Sequence, residues 1–268
     1  MSNAQHAGKV SEIWKHGILL EVLRREPPER YAETHAGSAV YPLPRDGERA
    51  FGVRRFLRLT SPVLTGSAYR AGIAPYEADD RIPGAVPLVT ALLGPGVEYL
   101  LCDLDPESAA DLRAHTSDLP HCDVVERDGM ATVAEWLDDR PTVVHIDPFD
   151  AEPTLDFAAE VATRGHRLVY WYGYDRPGQR AWAHKALAGR TDVPLWCGDV
   201  AVVDADGRGY AGDLGEGTTP GVGIGVVLAN AAQDTLDACV AYGRALAAGY
   251  EGAVLPDGRQ GGLAFTVS

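Results

Sequence analysis

Apolar residues recur at helical spacing near the start of the chain. Ile13, Trp14, Ile18, Leu19, Val22 and Leu23 share one broad face behind a Ser11 cap, and Pro27-Pro28 stops the run. A short strand, Tyr31 to Glu33, then enters the small-residue loop His35-Ala36-Gly37-Ser38-Ala39. Residues 42–82 carry many Gly, Pro and Arg without a long periodic run, which predicts an inserted, partly helical lid or subdomain. From Pro83 the pattern alternates, predicting helices over 86–93, 107–115, 132–137, 155–163 and 177–188 and strands over 99–103, 123–126, 142–146 and 167–172. Strands over 195–203 and 223–229, a turn at Asp206-Gly207, a helix over 233–248 and a strand over 263–267 complete it. Such a succession predicts an α/β chain, with a mostly parallel, Rossmann-like sheet and antiparallel C-terminal strands. Residues 1–268 are expected to form one domain that carries 42–82 as a small insertion.

Composition narrows the partners. At 268 residues, 46% hydrophobic and 23% charged, the chain can bury one large core. No apolar run reaches the roughly 18 residues of a membrane span, and no charged-then-apolar leader opens the chain, so a cytoplasmic protein with no membrane partner is expected. Cys102, Cys122, Cys197 and Cys239 are scattered without a C-x-x-C pair, which predicts reduced thiols and no metal site. The formal charge is −14, and there are three lysines, Lys9, Lys15 and Lys185. Nucleic-acid affinity depends on cations that neutralise phosphates. Apart from a local group at Arg54, Arg55 and Arg58, the balance predicts no nucleic-acid partner and favours a small molecule. A homodimer is left open.

Ligands of doubly wound sheets bind at the carboxyl ends of the strands. Glu33, Asp103, Asp128 and Asp147 all fall at predicted strand ends. The N-terminal helix is expected to close over this edge, bringing His6 and Lys15 towards Glu33, with His16 read as a core histidine. Trp14, Phe149, Trp171, Tyr172 and Tyr174 are expected to form an aromatic wall for a flat substrate.

The order of short motifs resembles bacterial large-subunit ribosomal RNA adenine-N6 methyltransferases of the RlmJ type. The residues that carry the likeness are His6-Ala7-Gly8, Lys15-His16, Glu33-Thr34-His35-Ala36-Gly37 with Tyr41, Pro83-Gly84, Asp103 with Pro106, Asp128-Gly129, Ile146-Asp147-Pro148, Trp171-Tyr172 and Gly225-Val226-Val227-Leu228-Ala229-Asn230. The resemblance implies a class I methyltransferase fold. It also implies that S-adenosylmethionine would be held by Glu33, Gly37, Asp103 and Asp128, with Asp103 on the ribose, Asp128 near the adenine amino group and Glu33 at the methionyl end. Three departures stand out. The family's target motif, Asp/Asn-Pro-Pro-Tyr/Phe, becomes Asp147-Pro148-Phe149-Asp150, so an acid replaces the ring that stacks on the flipped base. The family's His-Ala-Gly-x-Gly becomes His35-Ala36-Gly37-Ser38-Ala39, and its Pro-Gly-Ser becomes Pro83-Gly84-Ala85.

These departures point away from RNA adenine. The expectation from them is a natural-product enzyme on a methyltransferase scaffold, running acid–base condensation of an aromatic amine with no cofactor required. A Pictet–Spengler reaction on a tryptophan-like substrate fits, with kinship to bacterial natural-product Pictet–Spenglerases. In that reading Glu33, His35 and Asp147 are catalytic, while Phe149, Trp171, Tyr172, Lys15 and His6 bind the substrate. The alternative is a methyltransferase that retains S-adenosylmethionine and acts on a small molecule.

Overall fold

Continuous apolar strands that are buried on both faces can only be accommodated in the middle of a sheet covered by helices on each side. The computed structural model describes residues 6–174, 179–210 and 223–268 and shows this arrangement. Helix α1 (Val10–Arg25) leads into β1 (Arg30–Glu33) and β2 (Val40–Pro42). Four short helices follow: α2 (Gly47–Phe51), α3 (Val53–Phe56), α4 (Pro62–Thr65) and α5 (Ala68–Ile73). Then come β3 (Arg81–Pro83), α6 (Ala85–Leu93), β4 (Glu98–Asp103), α7 (Pro106–His115), β5 (Cys122–Glu126), α8 (Gly129–Trp136) and β6 (Val143–Ile146). The chain continues through α9 (Leu155–Thr163), β7 (Arg167–Tyr174), α10 (Trp182–Ala188), β8 (Leu195–Asp204) and β9 (Gly223–Ala229). It ends with α11 (Gln233–Gly249), β10 (Ala253–Val254) and β11 (Gln260–Val267).

Nine strands form one sheet in the order β10-β11-β8-β9-β7-β6-β1-β4-β5. Pairing is parallel from β5 through β4, β1 and β6 to β7, and antiparallel from β7 through β9, β8 and β11 to β10. The predicted α/β class and the antiparallel C-terminal strands are therefore what the chain forms. Strand order reverses at β1: β4 and β5 extend to one side, β6 and β7 to the other. In open α/β sheets that reversal opens a crevice at the carboxyl ends of the strands.

Two cores flank the sheet. One, containing Ala32, Leu100, Val144, Ile146, Tyr170 and Tyr172, includes apolar residues of α8, α9 and α10. The other, containing Tyr31, Leu101, Val143, Val169 and Val226, includes residues of α1, α6 and α11. Helix α1 differs from its sequence pattern. It is capped at Lys9 rather than Ser11, and burial runs without a break from Ile13 to Leu23, taking in Lys15, His16, Gly17 and Glu21. The cause is the stretch after β2. Phe51, Val53, Phe56, Leu64, Tyr69 and Ile73 enter the same core from that side, so α1 is covered all round. Gly17 sits flat against the Tyr242 ring of α11, where even a Cβ would collide.

The stretch 42–82 is partly helical, as its composition predicts, and β2 and β3 tie its ends together as an antiparallel ribbon that the sequence does not reveal. Arg54 donates to Asp80 at 2.9 Å and Arg55 to the Gly249 carbonyl at 3.0 Å, while Arg58 donates to the Arg54 carbonyl at 3.1 Å. Arg55 thus ties the stretch to the end of α11, while Arg54 and Arg58 bond within the stretch itself, Arg58 from an exposed position. The first residues of the helix predicted over 177–188 lie outside the described residues, and α10 begins at Trp182. Among the described residues no helix is long and apolar enough to cross a membrane, no group of acidic, His and Cys residues could hold a metal ion, and all four cysteines are free.

Candidate active site

The crevice at β1 is stitched by backbone and side-chain hydrogen bonds. Thr34 N donates to the His145 carbonyl at 3.1 Å and Ala36 N to the Cys102 carbonyl at 2.9 Å, binding the loop after β1 to β6 and β4. Gly37 N donates to Asp103 Oδ2 at 2.7 Å, Ser38 N to the Tyr41 hydroxyl at 2.6 Å and Ala39 N to Asp111 Oδ2 at 2.8 Å. The small residues thus let the loop lie against β4 and α7, and its amides are largely satisfied from within the protein. Asp103 Oδ1 accepts from Asp105 N at 2.8 Å, so each oxygen of Asp103 has taken one bond and keeps a second lone pair. Beside it Leu104 is 70% exposed, an apolar surface open to a flat ring.

Asp128 is a helix cap: its Oδ1 accepts from Ala131 N at 2.8 Å at the start of α8. Gly129 follows it because α8 starts in direct contact with the Thr34 carbonyl, with no room for a Cβ. His35 is half-buried next to this loop, its Nδ1 2.8 Å from Thr34 Oγ1. Burial lowers its imidazole from the ordinary value, outweighing the nearby carboxylates of Asp147, Asp103, Asp128 and Glu33.

On the β6 side Lys15 reaches from α1 to the sheet edge. Its Nζ lies 2.6 Å from Asp147 Oδ2 and 2.9 Å from Glu12 Oε1, and stands 5.3 Å from the centre of the Trp171 ring. Burial alone would push this ammonium down; Asp147 and Glu12 more than offset that and hold it above its ordinary value. Carboxylates and an aromatic face around a cation form an ammonium-binding arrangement, filled by the protein's own lysine.

One layer below lies Glu33. It is 1% exposed, its Oε2 accepts from the Tyr31 hydroxyl at 2.7 Å, and its Oε1 lies 3.0 Å from His145 Nδ1. The sequence reading missed His145, although strand alternation places it on the same face as Asp147, two residues on.

Several expectations need correction. Lys15 meets Asp147 and Glu12, not Glu33, and His6 is exposed ahead of α1, with no bond to Glu33. Glu33 has both oxygens engaged and almost no accessible surface, so it cannot contact a substrate as acid or base in this arrangement. The aromatic wall does not form. Alternation along β7 sends Trp171 towards Lys15 and Tyr172 to the opposite face, where its hydroxyl donates to Asp199 at 2.8 Å and its ring packs with Tyr174 and Trp182. Trp14 packs in the core against Tyr242 and Phe265. Phe149 is 81% exposed, a rim residue and not part of either core.

His16, expected in the core, is fully enclosed there, and burial pushes its imidazole well below the ordinary value. The unfolded chain takes up this proton near pH 6.5 while the folded chain does not, so the contribution is complete above that pH and is lost as pH falls below it. Denaturant titrations between pH 7 and 5 are expected to show stability falling on acidification, with His16→Gln flattening that slope. An unchanged slope would mean that His16 is protonated in the fold.

Comparison with solved structures supports the same architecture. Protein LPL1258 from Legionella pneumophila, of family designation DUF519, superposes over 98% of each chain at a TM-score of 0.73 with 17% identity. That match shows the fold, and its span includes the helical stretch after β2. An S-adenosylmethionine-dependent O-methyltransferase from Thermotoga maritima aligns with 13% identity over 81% of this chain and 63% of its own, at a TM-score of 0.40. A methyltransferase from Geobacter sulfurreducens gives 12% identity over 80% of this chain and 76% of its own, at 0.39. No protein-family model matches the chain, and the search of curated proteins gives no match. The topology is more telling. Counting β1, β4, β5, β6, β7, β8 and β9 as one to seven, the sheet order is 3-2-1-4-5-7-6 with the seventh antiparallel. This is the fold of class I S-adenosylmethionine-dependent methyltransferases.

Proposed function

We propose that the protein is an S-adenosylmethionine-dependent methyltransferase whose acceptor is an amine-bearing small molecule. One observation carries the reading: the carboxyl edge of the sheet holds two half-sites, one on each side of the strand-order reversal. On the β1–β4 side, Asp103 keeps an open lone pair on each oxygen beside exposed Leu104, next to the Gly37 loop. That donor set fits a ribose diol and an adenine ring. On the β6–β7 side, Asp147, Glu12 and Trp171 surround the Lys15 ammonium, which sits on Asp147 Oδ2, while Oδ1 takes no bond among the described residues and Phe149 stands at the rim.

S-adenosylmethionine, when bound, supplies an electrophilic methyl group on a sulfonium. The chain's own residues then have distinct tasks. Asp103 orients the ribose, Leu104 covers one face of the base, and Asp147 holds the acceptor nitrogen by its hydrogens. Carboxylates at this edge favour both a sulfonium and an amine and oppose a polyphosphate. The motif order resembles ribosomal RNA adenine methyltransferases, but Asp150 in place of the stacking ring and a charge of −14 argue for a small acceptor. The cofactor-free cyclisation has no comparable support, since Glu33, its expected acid–base group, is sealed from substrate.

Titration calorimetry with S-adenosylmethionine tests the reading. Binding at one site is expected, weakened about tenfold or more by Asp103→Ala through the loss of charge-assisted bonds. Transfer of labelled methyl is expected to an aromatic amine such as tryptamine and not to undermodified large-subunit RNA. No cofactor binding would overturn the methyltransferase; label in the RNA would overturn the small-molecule acceptor.

A further inference from the structure

We propose that Tyr31, Glu33 and His145 form a buried proton-accepting relay for the amine site at Asp147, with His145 Nε2 as the receiving atom. The relay's substrate rests on the methyltransferase reading; its proton chemistry rests on the geometry of this chain.

Glu33 and His145 are register partners on adjacent parallel strands and face the same side of the sheet. The Glu33 carboxylate is used at both oxygens, by the Tyr31 hydroxyl at 2.7 Å and by His145 Nδ1 at 3.0 Å. An ionised carboxylate only accepts, so Nδ1 must donate, and the lone pair of the neutral imidazole is left on Nε2. His145 is 0% exposed, and its Nε2 has no hydrogen-bond partner among the described residues. A buried polar nitrogen without a partner is costly, and three apolar side chains would fill this volume more favourably. The arrangement therefore calls for a function at Nε2.

Its position indicates what that function is. Two residues along a strand is about 7 Å, which places His145 one layer beneath Asp147 on the same face. Trp171 on β7, also on this face, has a buried Nε1 without a partner among the described residues. One water between these atoms and the amine site would satisfy both nitrogens and connect them to the acceptor. Around His145 stand Glu33 and Tyr31 from β1, the Tyr31 hydroxyl also lying 3.3 Å from Nδ1, and His16 from α1; Asp147 lies just past the end of β6, with Lys15 and Trp171 beside it. Lys15 is the fixed cation among them and is already held by Asp147 and Glu12.

The step balances. The nitrogen lone pair of a neutral amine forms the new N–CH3 bond, and the S–CH3 bond breaks with its electron pair left on sulfur. The methylated nitrogen, now cationic, sheds one proton. That proton passes through the water to Nε2, and the imidazolium formed is stabilised by the Glu33 carboxylate, itself oriented by Tyr31.

The test uses the free protein. Ring-nitrogen NMR, with His145→Gln to assign the resonances, is expected to show His145 as the Nδ1–H tautomer at neutral pH. On acidification Nε2 is expected to gain a proton while the protein is still folded. Glu33→Gln should move that protonation down by about one pH unit or more, as the loss of an adjacent opposite charge does. An Nε2–H tautomer in the parent, an imidazole that stays neutral until the fold is lost, or an unmoved protonation in Glu33→Gln overturns the relay. If Glu33→Gln does not fold, the parent's tautomer and titration decide alone. None of these readouts needs S-adenosylmethionine. Absence of cofactor binding would thus overturn the methyltransferase and leave the relay's proton chemistry standing, while a wrong tautomer would overturn the relay alone.

Discussion

Lys15→Met is expected to lower stability by on the order of 3 kcal/mol, because it strips the cation from two carboxylates that remain in a nearly closed site. Lys15 lies 2.6 Å from Asp147 and 2.9 Å from Glu12, and the side-chain exposures are 9%, 17% and 13% respectively. A surface ion pair could be deleted for about 0–1 kcal/mol. Here neither acid can turn fully to water, so the unpaired charge carries most of the cost. In a chain of this size each kcal/mol shifts the midpoint by about 2–4 °C, which places the loss within easy reach of melting curves. Adding Asp147→Asn to Lys15→Met should recover a large part of it, since the second change removes the charge that the first left stranded. A single variant that melts with the parent would show that the ammonium is not held between these acids.

Gly129→Ala is expected to be disruptive on a similar scale despite adding a single methyl group. A Cβ at this position would overlap the Thr34 carbonyl oxygen, a backbone atom that cannot rotate away. Either α8 retreats from the loop after β1 or that loop gives up its bond from Thr34 N to the His145 carbonyl. Overpacking of this kind costs about 1–3 kcal/mol and sometimes more. The displacement also moves Asp128 and His35 relative to Asp103, so S-adenosylmethionine binding should weaken even in the fraction that remains folded. Urea midpoints and calorimetry on the same preparation check both effects. Gly129→Ala with unchanged stability and binding would mean that α8 does not touch the loop.

Much of the fold was legible because strand and helix periods are local properties. The apolar runs at 142–146 and 223–229, the capping Asp105-Pro106 and Asp128-Gly129 pairs, and the small-residue loop after Glu33 each announce their elements without reference to distant residues. Parts of the candidate site were legible for the same reason, since a carboxylate that ends an apolar strand in such a sheet lies at its carboxyl edge. The individual roles were less so. Asp128 and Asp103 remain at the edge, but Glu33 turns inward, because its two neighbours, Tyr31 on its own strand and His145 across the ladder, are polar and buried on one face. That pairing depends on register between β1 and β6, which are separated by more than a hundred residues of chain.

By itself, the sequence determined the alternation of elements, the α/β class, the antiparallel turn of the C-terminal strands, the position of the acids at strand ends and the acidic net charge. These follow from side-chain periodicity and net charge, both of which are set along the chain. Only the tertiary structure decided that α1 is buried all round, that Trp171 and Tyr172 part to opposite faces, that Lys15 closes on Asp147 and Glu12, and that His145 stands behind Glu33. Each of these depends on which surfaces meet across the sheet, and burial, ion pairing and the protonation of an enclosed group are properties of those meetings and not of any one segment.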